Sequence, residues 1–242
     1  MTDAGSRYLD DVKPILEAIK LADEAARGVN AVPQGKISVT APVLFGQQCI
    51  VPSVLEYLSK YPDTEVNAVF LDRVVNLLEE DYDVGVRIGE LADSSMRAKK
   101  VGSVRFGLVA SPDYLERAGI PQHFSQLSEH SLIAVQAGSL SPQWKFVEQG
   151  KQISQRVQSR LCVSTNQAAI NACLAGFGIT RVISYQVAQE LADNKLKFVL
   201  ESFEQPALPV NIVHREDRLS STKVRSFIDL LASNLLKNKS LN

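Results

Sequence analysis

From Gly35 onward, short apolar runs alternate with amphipathic stretches, and most of the switches fall at a Gly, a Pro or a capping residue. Strand-like runs separated by stretches of helical period argue for an α/β fold with a largely parallel sheet. The pattern predicts strands over 37–41, 66–71, 83–88, 103–110, 131–135, 143–148, 155–163, 179–183, 196–200 and 209–214. It predicts helices over 51–61, 74–80, 112–118, 166–175, 184–192 and 221–236. Pro52 suits the first turn of its helix, and Ser111 and Ser184 suit cap positions. Ser164, Thr165 and Asn166 are alternative caps for the helix over 166–175, and Gly176 and Gly178 stop it. Two such α/β runs suggest two lobes, with the last helix returning to the first.

Composition narrows the classes. The chain has 242 residues, of which 45% are hydrophobic and 22% charged, the balance of a globular protein rather than a disordered one. No apolar run reaches the ~18 residues of a membrane-spanning helix. Lys and Arg number 26 against 27 Asp and Glu, so the net charge of -1 argues against strong nucleic-acid binding by this chain alone. The first seven residues have no basic patch followed by an apolar stretch, so no secretory signal is expected. Cys49, Cys162 and Cys173 are odd in number and widely spaced, which suits free thiols in a reducing cytoplasm.

The N-terminal segment has a pattern of its own. Tyr8, Val12, Ile15, Ile19, Ala22 and Ala26 follow spacings of 4, 3, 4, 3 and 4, a narrow heptad seam suited to pairing two helices. The alternative is a surface helix lying on its own domain. Pro14 either kinks this helix or begins it. Residues 30–35 form a linker by their turn chemistry.

A search for catalytic chemistry is mostly negative. No G-x-S-x-G elbow, P-loop or H-E-x-x-H occurs. His123, His130 and His214 lack metal-ligand spacing, so neither a metal nor a cofactor is expected. Cys162 and Cys173 suit buried packing better than a redox pair. The strand ends are more informative, because open α/β sheets bind ligands beyond their carboxyl ends, near helix N-termini. Those ends carry residues 40–46, Arg87 with Gly89, and Ser164-Thr165-Asn166. Arg87 sits in a mostly apolar strand, where a cation needs a partner. That partner is either a ligand carboxylate or an internal acid such as Asp72 or Asp83.

Pro33-x-Gly35-x-Ile37-x-Val39-x-Ala41-Pro42-x-x-Phe45-Gly46 resembles the start of the co-inducer-binding domain of LysR-type transcriptional regulators. So does Pro52, followed by Leu58-x-x-Tyr61-Pro62-Asp63. Asp83-Val84-Gly85-Val86-Arg87-Ile88-Gly89 resembles that family's "D-x-A-x-R-x-G" strand. Ala110-Ser111-Pro112-x-Tyr114-Leu115, Gly119-x-Pro121, Leu127-x-x-His130, Trp144-x-Phe146 and Ala175-Gly176-x-Gly178-Ile179 also match, in order. Thr2-Asp3-Ala4-Gly5-x-x-Tyr8 resembles the stretch just after the wing of the family's DNA-binding head. The winged helix-turn-helix itself is not in the sequence, which suggests a fragment, a misassigned start or a naturally headless protein.

The resemblance implies a two-lobed domain of the type 2 periplasmic-binding-protein kind, preceded by a linker helix. Residues 1–35 would be the dimerisation helix and linker, and 36–242 the effector-binding domain. Lobe I would span about 36–107 and 210–242, and lobe II about 108–209. A small, anionic effector would bind between the lobes and change the arrangement of a homodimer or homotetramer, and so the placement of DNA-binding heads. The implied contacts are Thr40, Ala41, Pro42, Val43 and Phe45, with Asp72, Arg87 and Gly89 nearby, and Gln136, Ala137, Ser139, Thr165 and Asn166 from lobe II. Phe45 suits a core residue as well as a pocket wall. The runner-up is a solute-binding protein of a transporter, and the third reading is a cytoplasmic enzyme on the same scaffold.

Overall fold

The computed structural model describes residues 2, 5, 8, 12, 15, 16, 19, 32–73, 75–91, 96–135, 143–215 and 221–241. The chain divides into two compact units. The first holds Met1–Arg87, Leu91–Val101 and Asn211–Lys237; the second holds Ile88–Glu90, Gly102–Val210 and Asn238–Asn242.

The first unit is built on β1 (Gly35–Ala41), β2 (Thr64–Phe70) and β3 (Val84–Ile88). β1 lies between β2 and β3 and is parallel to both, with Val39 opposite Ala68 and Val84. The sheet order is β2-β1-β3-β12-β4, where β4 is Met96–Val104 and β12 is Leu208–Arg215. Ile37, Val39 and Ala41 of β1 are fully buried, as a strand covered on both sides requires.

A continuous helical run follows β1. It starts with α1 (Val43–Phe45), passes through a π-turn at Gly46–Ile50 and continues as α2 (Val51–Lys60). The α-helix over Val51–Lys60 has Pro52 in its first turn, as predicted, but it is preceded by helical turns over 43–50 that the sequence pattern did not predict. Pro52 has no N–H and would crowd the preceding turn of a regular helix. The π-turn just ahead of it carries the Val51 N–H back to the Gly46 carbonyl, the wider spacing that relieves such crowding. Gly46 is needed there, since a Cβ would overlap the Phe70 ring.

The closing helix α6 (Thr222–Lys237) buries Val224, Phe227, Ile228, Leu231 and Leu235, the face its sequence predicts. Its Phe227 meets Tyr57 of α2 edge to face at 5.1 Å, and the Tyr57 hydroxyl donates to the Lys223 carbonyl at 2.9 Å. Side chains of this size each contribute about 1.5–3 kcal/mol when fully buried.

The predicted helix over 74–80 does not form. Residues 77–81 make turns. The Asn76 side chain accepts the Leu78 N–H, a local bond that competes with helix. Asp81 has φ of 55°, which ends any helical run. Leu77 is fully buried and packs over Gly85, where an added Cβ would lie 3.0 Å from the leucine Cδ2.

The second unit has the sheet order β11-β5-β10-β6-β9: β5 is Phe106–Ala110, β6 Leu132–Val135, β9 Leu161–Val163, β10 Ile179–Ile183 and β11 Lys197–Val199. β6 runs parallel to β9 and β10, but β5 is antiparallel to both β10 and β11, so this sheet is mixed rather than largely parallel. A hairpin of β7 (Gln143–Glu148) and β8 (Lys151–Arg156) turns at Gly150, whose φ is 76°. α3 (Pro112–Ala118) starts at Ser111, whose hydroxyl accepts the Tyr114 N–H as predicted. α4 (Asn166–Leu174) starts at Thr165 and is followed by Gly176 with φ of 75°.

Three further expectations are corrected here. The predicted strand over 103–110 is two strands, because Arg105 leaves the ladder: its N–H donates to Ser184 Oγ and its carbonyl accepts the Ser184 N–H. Ser184 is thereby committed to Arg105 and does not cap; Ser184–Val187 is a 3₁₀ turn leading into α5 (Ala188–Ala192). The predicted strand over 155–163 is interrupted between Arg156 and Leu161. There Val157 turns inward to the aromatic core, and the Arg160 N–H bonds the Leu132 carbonyl. That core stacks Phe124 on Phe146 at 4.9 Å, with Phe203 edge-on to Phe124 at 5.2 Å.

Candidate functional site

The predicted contacts of the first unit gather at the carboxyl end of β1. Thr40 and Ala41 are fully buried, and Thr40 Oγ1 has no hydrogen-bond partner among the described residues. A buried hydroxyl without a partner costs about 1–3 kcal/mol, so it marks a place where a partner is wanted. Pro42 is half-buried and leads into α1, its carbonyl accepting the Gly46 N–H at 2.7 Å. Phe45 is fully buried, which makes it core.

The helix start at Val43 is not an open anion nest. Asp72 Oδ1 accepts the Val43 N–H at 3.0 Å, so the chain's own carboxylate, 29 residues away, occupies that position. The helix dipole favours negative charge there, and Asp72 supplies it. Asp72 is therefore a cap on the site's floor and not Arg87's partner.

Arg87 is half-buried at the end of β3. Its Nη2 donates to the Val75 carbonyl at 2.6 Å, and Nη1 reaches the Val86 carbonyl at 3.5 Å. Asp83 instead accepts the Ser38 N–H at 2.9 Å. Among the described residues Arg87 makes no ion pair, so the internal salt bridge to Asp72 or Asp83 is not formed. Burial lowers the guanidinium pKa from its usual value, opposed by the more distant charge of Glu80. Glu80 itself is held by Arg73 through Nη1 at 2.7 Å. Sequence reasoning missed this Arg73–Glu80 clamp because it placed both residues in or beside a helix.

In the second unit, Gly89 has φ of 112°, and its N–H donates to the Pro209 carbonyl at 2.9 Å. Nothing lies within 4 Å of a Cβ built on it, so its role is conformational and not one of close packing. Thr165 is the N-cap of α4: its Oγ1 accepts the Ala168 N–H at 3.2 Å. Asn166 is half-buried at the first helical position. Gln136, Ala137 and Ser139 lie outside the described residues, as do Ala22 and Ala26 of the predicted pairing seam.

The other seam residues, Tyr8, Val12, Ile15 and Ile19, are all helical. Tyr8, Ile15 and Ile19 are 70%, 59% and 54% exposed, and so is the neighbouring Leu16 at 53%, which the heptad reading left out. An exposed apolar face of this kind needs a cover.

The histidines fall into local structural roles. His123 caps a 3₁₀ turn, with Nδ1 meeting both the Ser125 N–H and the Ser125 hydroxyl, while Nε2 faces Glu148 at 2.9 Å. His130 Nδ1 meets the Tyr114 hydroxyl at 3.1 Å. Cys173 is buried and its thiol is pushed up to about 12, which makes it unreactive in the folded chain. Among the described residues no group of acids, histidines and cysteines is placed to hold a metal ion, and no helix is long and apolar enough to cross a membrane.

These features define a class: a two-lobed, periplasmic-binding-protein-like regulatory fold whose strand ends carry polar residues. The LysR substrate binding domain family matches residues 30–236, and the chain belongs to that family of transcriptional regulators. It is 28% identical over 241 residues to the HTH-type transcriptional regulator CrgA of Neisseria meningitidis, covering 98% of this chain and 80% of that protein. The HTH-type transcriptional regulator PgrR of Escherichia coli is 26% identical, covering 95% of this chain and 78% of PgrR. Among solved structures, CrgA superposes with a TM-score of 0.77 at 26% identity, over 98% of this chain and 80% of that one. Full-length AphB of Vibrio cholerae gives 0.74 at 28% identity, over 96% and 80%. Residues 30–236 are therefore the effector-binding regulatory domain of a LysR-type regulator, and a transporter's solute-binding protein is not favoured.

Proposed function

We propose that this domain senses a small organic acid, with Arg87 as the group that recognises its carboxylate. The observation carrying this reading is a half-buried guanidinium that donates only to backbone carbonyls and has no ion pair among the described residues. A desolvated cation gains most from a bidentate carboxylate. Thr40, paired across the ladder with Gly85 two residues before Arg87, carries an unpartnered hydroxyl, while Asp72 at the helix start disfavours a second negative charge near Val43. Ala41 and Pro42 supply backbone at the end of β1 in the same unit. The exposed face of Tyr8, Ile15 and Ile19 pairs with the same face of another copy, and the effector acts by favouring one arrangement of that assembly. The protein works in the cytoplasm, in keeping with three cysteines that form no disulfide. It catalyses no reaction, as its regulator relatives suggest, and these 242 residues bind promoter DNA weakly by themselves, given a net charge of -1.

The test is thermal denaturation against a library of aromatic and small aliphatic acids. A binder raises the melting temperature by mass action, and Arg87→Ala removes the rise. A library without any shift, or a shift that survives Arg87→Ala, sinks the assignment.

A further inference from the structure

We propose that the second unit carries a separate small-molecule site for an amphipathic organic acid, in a cavity of about 430 Å³ beside the Arg105 corner. This volume falls within the ~300–1,000 Å³ range of ligand pockets. The β4–β5 corner, the 3₁₀ turn at Ser184–Val187 with α5, and the C-terminal turn Lys239–Leu241 meet there with Phe198 of β11 and Ala207. The C-terminal turn is held in place, because Leu241 is fully buried and a Cβ on Gly102 would lie 2.6 Å from its carbonyl oxygen.

The lining divides by chemistry. Arg105 is already used: Nη1 meets Glu204 at 2.6 Å, Nη2 meets Glu201 at 3.1 Å, and the guanidinium stacks 3.9 Å from the Phe198 ring centre. It contributes shape rather than free charge. Lys239 also lines the cavity and makes no ion pair among the described residues. Ser103, Ser184 and Ser240 add hydroxyls. The Ser184 oxygen accepts the Arg105 N–H, which leaves its own O–H as a donor. Phe198 and Leu191 form the apolar side. One free ammonium with hydroxyl donors on one side and an aromatic and a leucine on the other suits a carboxylate attached to a compact apolar body. None of these residues belongs to the Arg87 site, so the two proposals stand or fall separately.

The probe is benzoate, with inorganic phosphate as the control, followed by residue-resolved amide shifts on the whole chain. Benzoate is expected to move the amides of Ser103, Ser184 and Ser240. Lys239→Gln weakens it by about fivefold, the scale of one exposed charge pair. Ala207→Trp, at an exposed position on the rim, blocks it without touching the core. Benzoate shifts confined to Thr40, Val43 and Arg87, equal shifts with phosphate alone, or binding unchanged in both variants would each overturn the proposal.

Discussion

Each unit starts a helix from the end of a parallel strand, and the two starts are satisfied in opposite ways. In the second unit Thr165 caps α4 itself, its hydroxyl reaching a backbone N–H three residues on. In the first unit Pro42 offers no side-chain cap, and the Val43 N–H is taken by Asp72 from 29 residues away. A local cap is a property of a tripeptide, whereas a borrowed cap exists only once two loops have been brought together. The borrowed cap also puts a carboxylate where a ligand anion would otherwise sit, which is why the proposed recognition of charge falls to Arg87.

Substitutions can break this contrast. Phe45→Ala, directly behind the first helix start, removes a fully buried ring and should lower stability by about 3–5 kcal/mol in denaturant unfolding. A loss under 1 kcal/mol would make Phe45 a pocket wall after all. Thr165→Ala removes a cap at an otherwise regular helix and should cost about 1 kcal/mol. Asp72→Asn keeps an acceptor and should cost less than Thr165→Ala, at most about 0.5 kcal/mol, since Asp72 is exposed. It should also tighten any acid that binds through Arg87, measured by calorimetry. Weaker binding would place the acid elsewhere.

The smallest effects are in pH dependence, where two glutamates oppose each other. Burial raises Glu204 above its usual 4.5, against the pull of Arg105. The folded chain then keeps a proton that the unfolded chain has lost, so this group takes stability away as pH rises through the interval above 4.5. Glu204→Gln should flatten that fall in melting temperature. Glu80 in the first unit is held below 4.5 by its hydrogen bond to Arg73. Its contribution is present above 4.5 and is lost on acidification through the folded pKa, so Glu80→Gln should flatten the acid limb instead. Identical pH profiles for the two variants would contradict these opposite environments.

Much of the molecule was legible from residues close in sequence. The caps at Ser111 and Thr165, the stop at Gly176 and the buried face of α6 each depend on a few neighbouring positions. The errors fall where a distant partner overrules local preference. Residues 74–80 have a helical pattern, yet Leu77 is fastened over Gly85 and Arg73 is clamped to Glu80. Residues 103–110 read as one strand, yet Ser184 takes the Arg105 backbone out of the ladder. The antiparallel pairing of β5 leaves no trace in its own apolar residues, because strand direction is set by which neighbour the chain meets.

The candidate site divides the same way. Sequence by itself determined the α/β class, the family, and the presence of Thr40, Pro42 and Arg87 at strand ends, because apolar periodicity and short motifs are local. Only the tertiary structure decided that Asp72 caps Val43, that Phe45 is core, and that Arg87 donates to carbonyls and forms no ion pair among the described residues. Charge pairing and burial depend on what long-range folding brings within a few ångströms, and one chain read in order does not contain that distance.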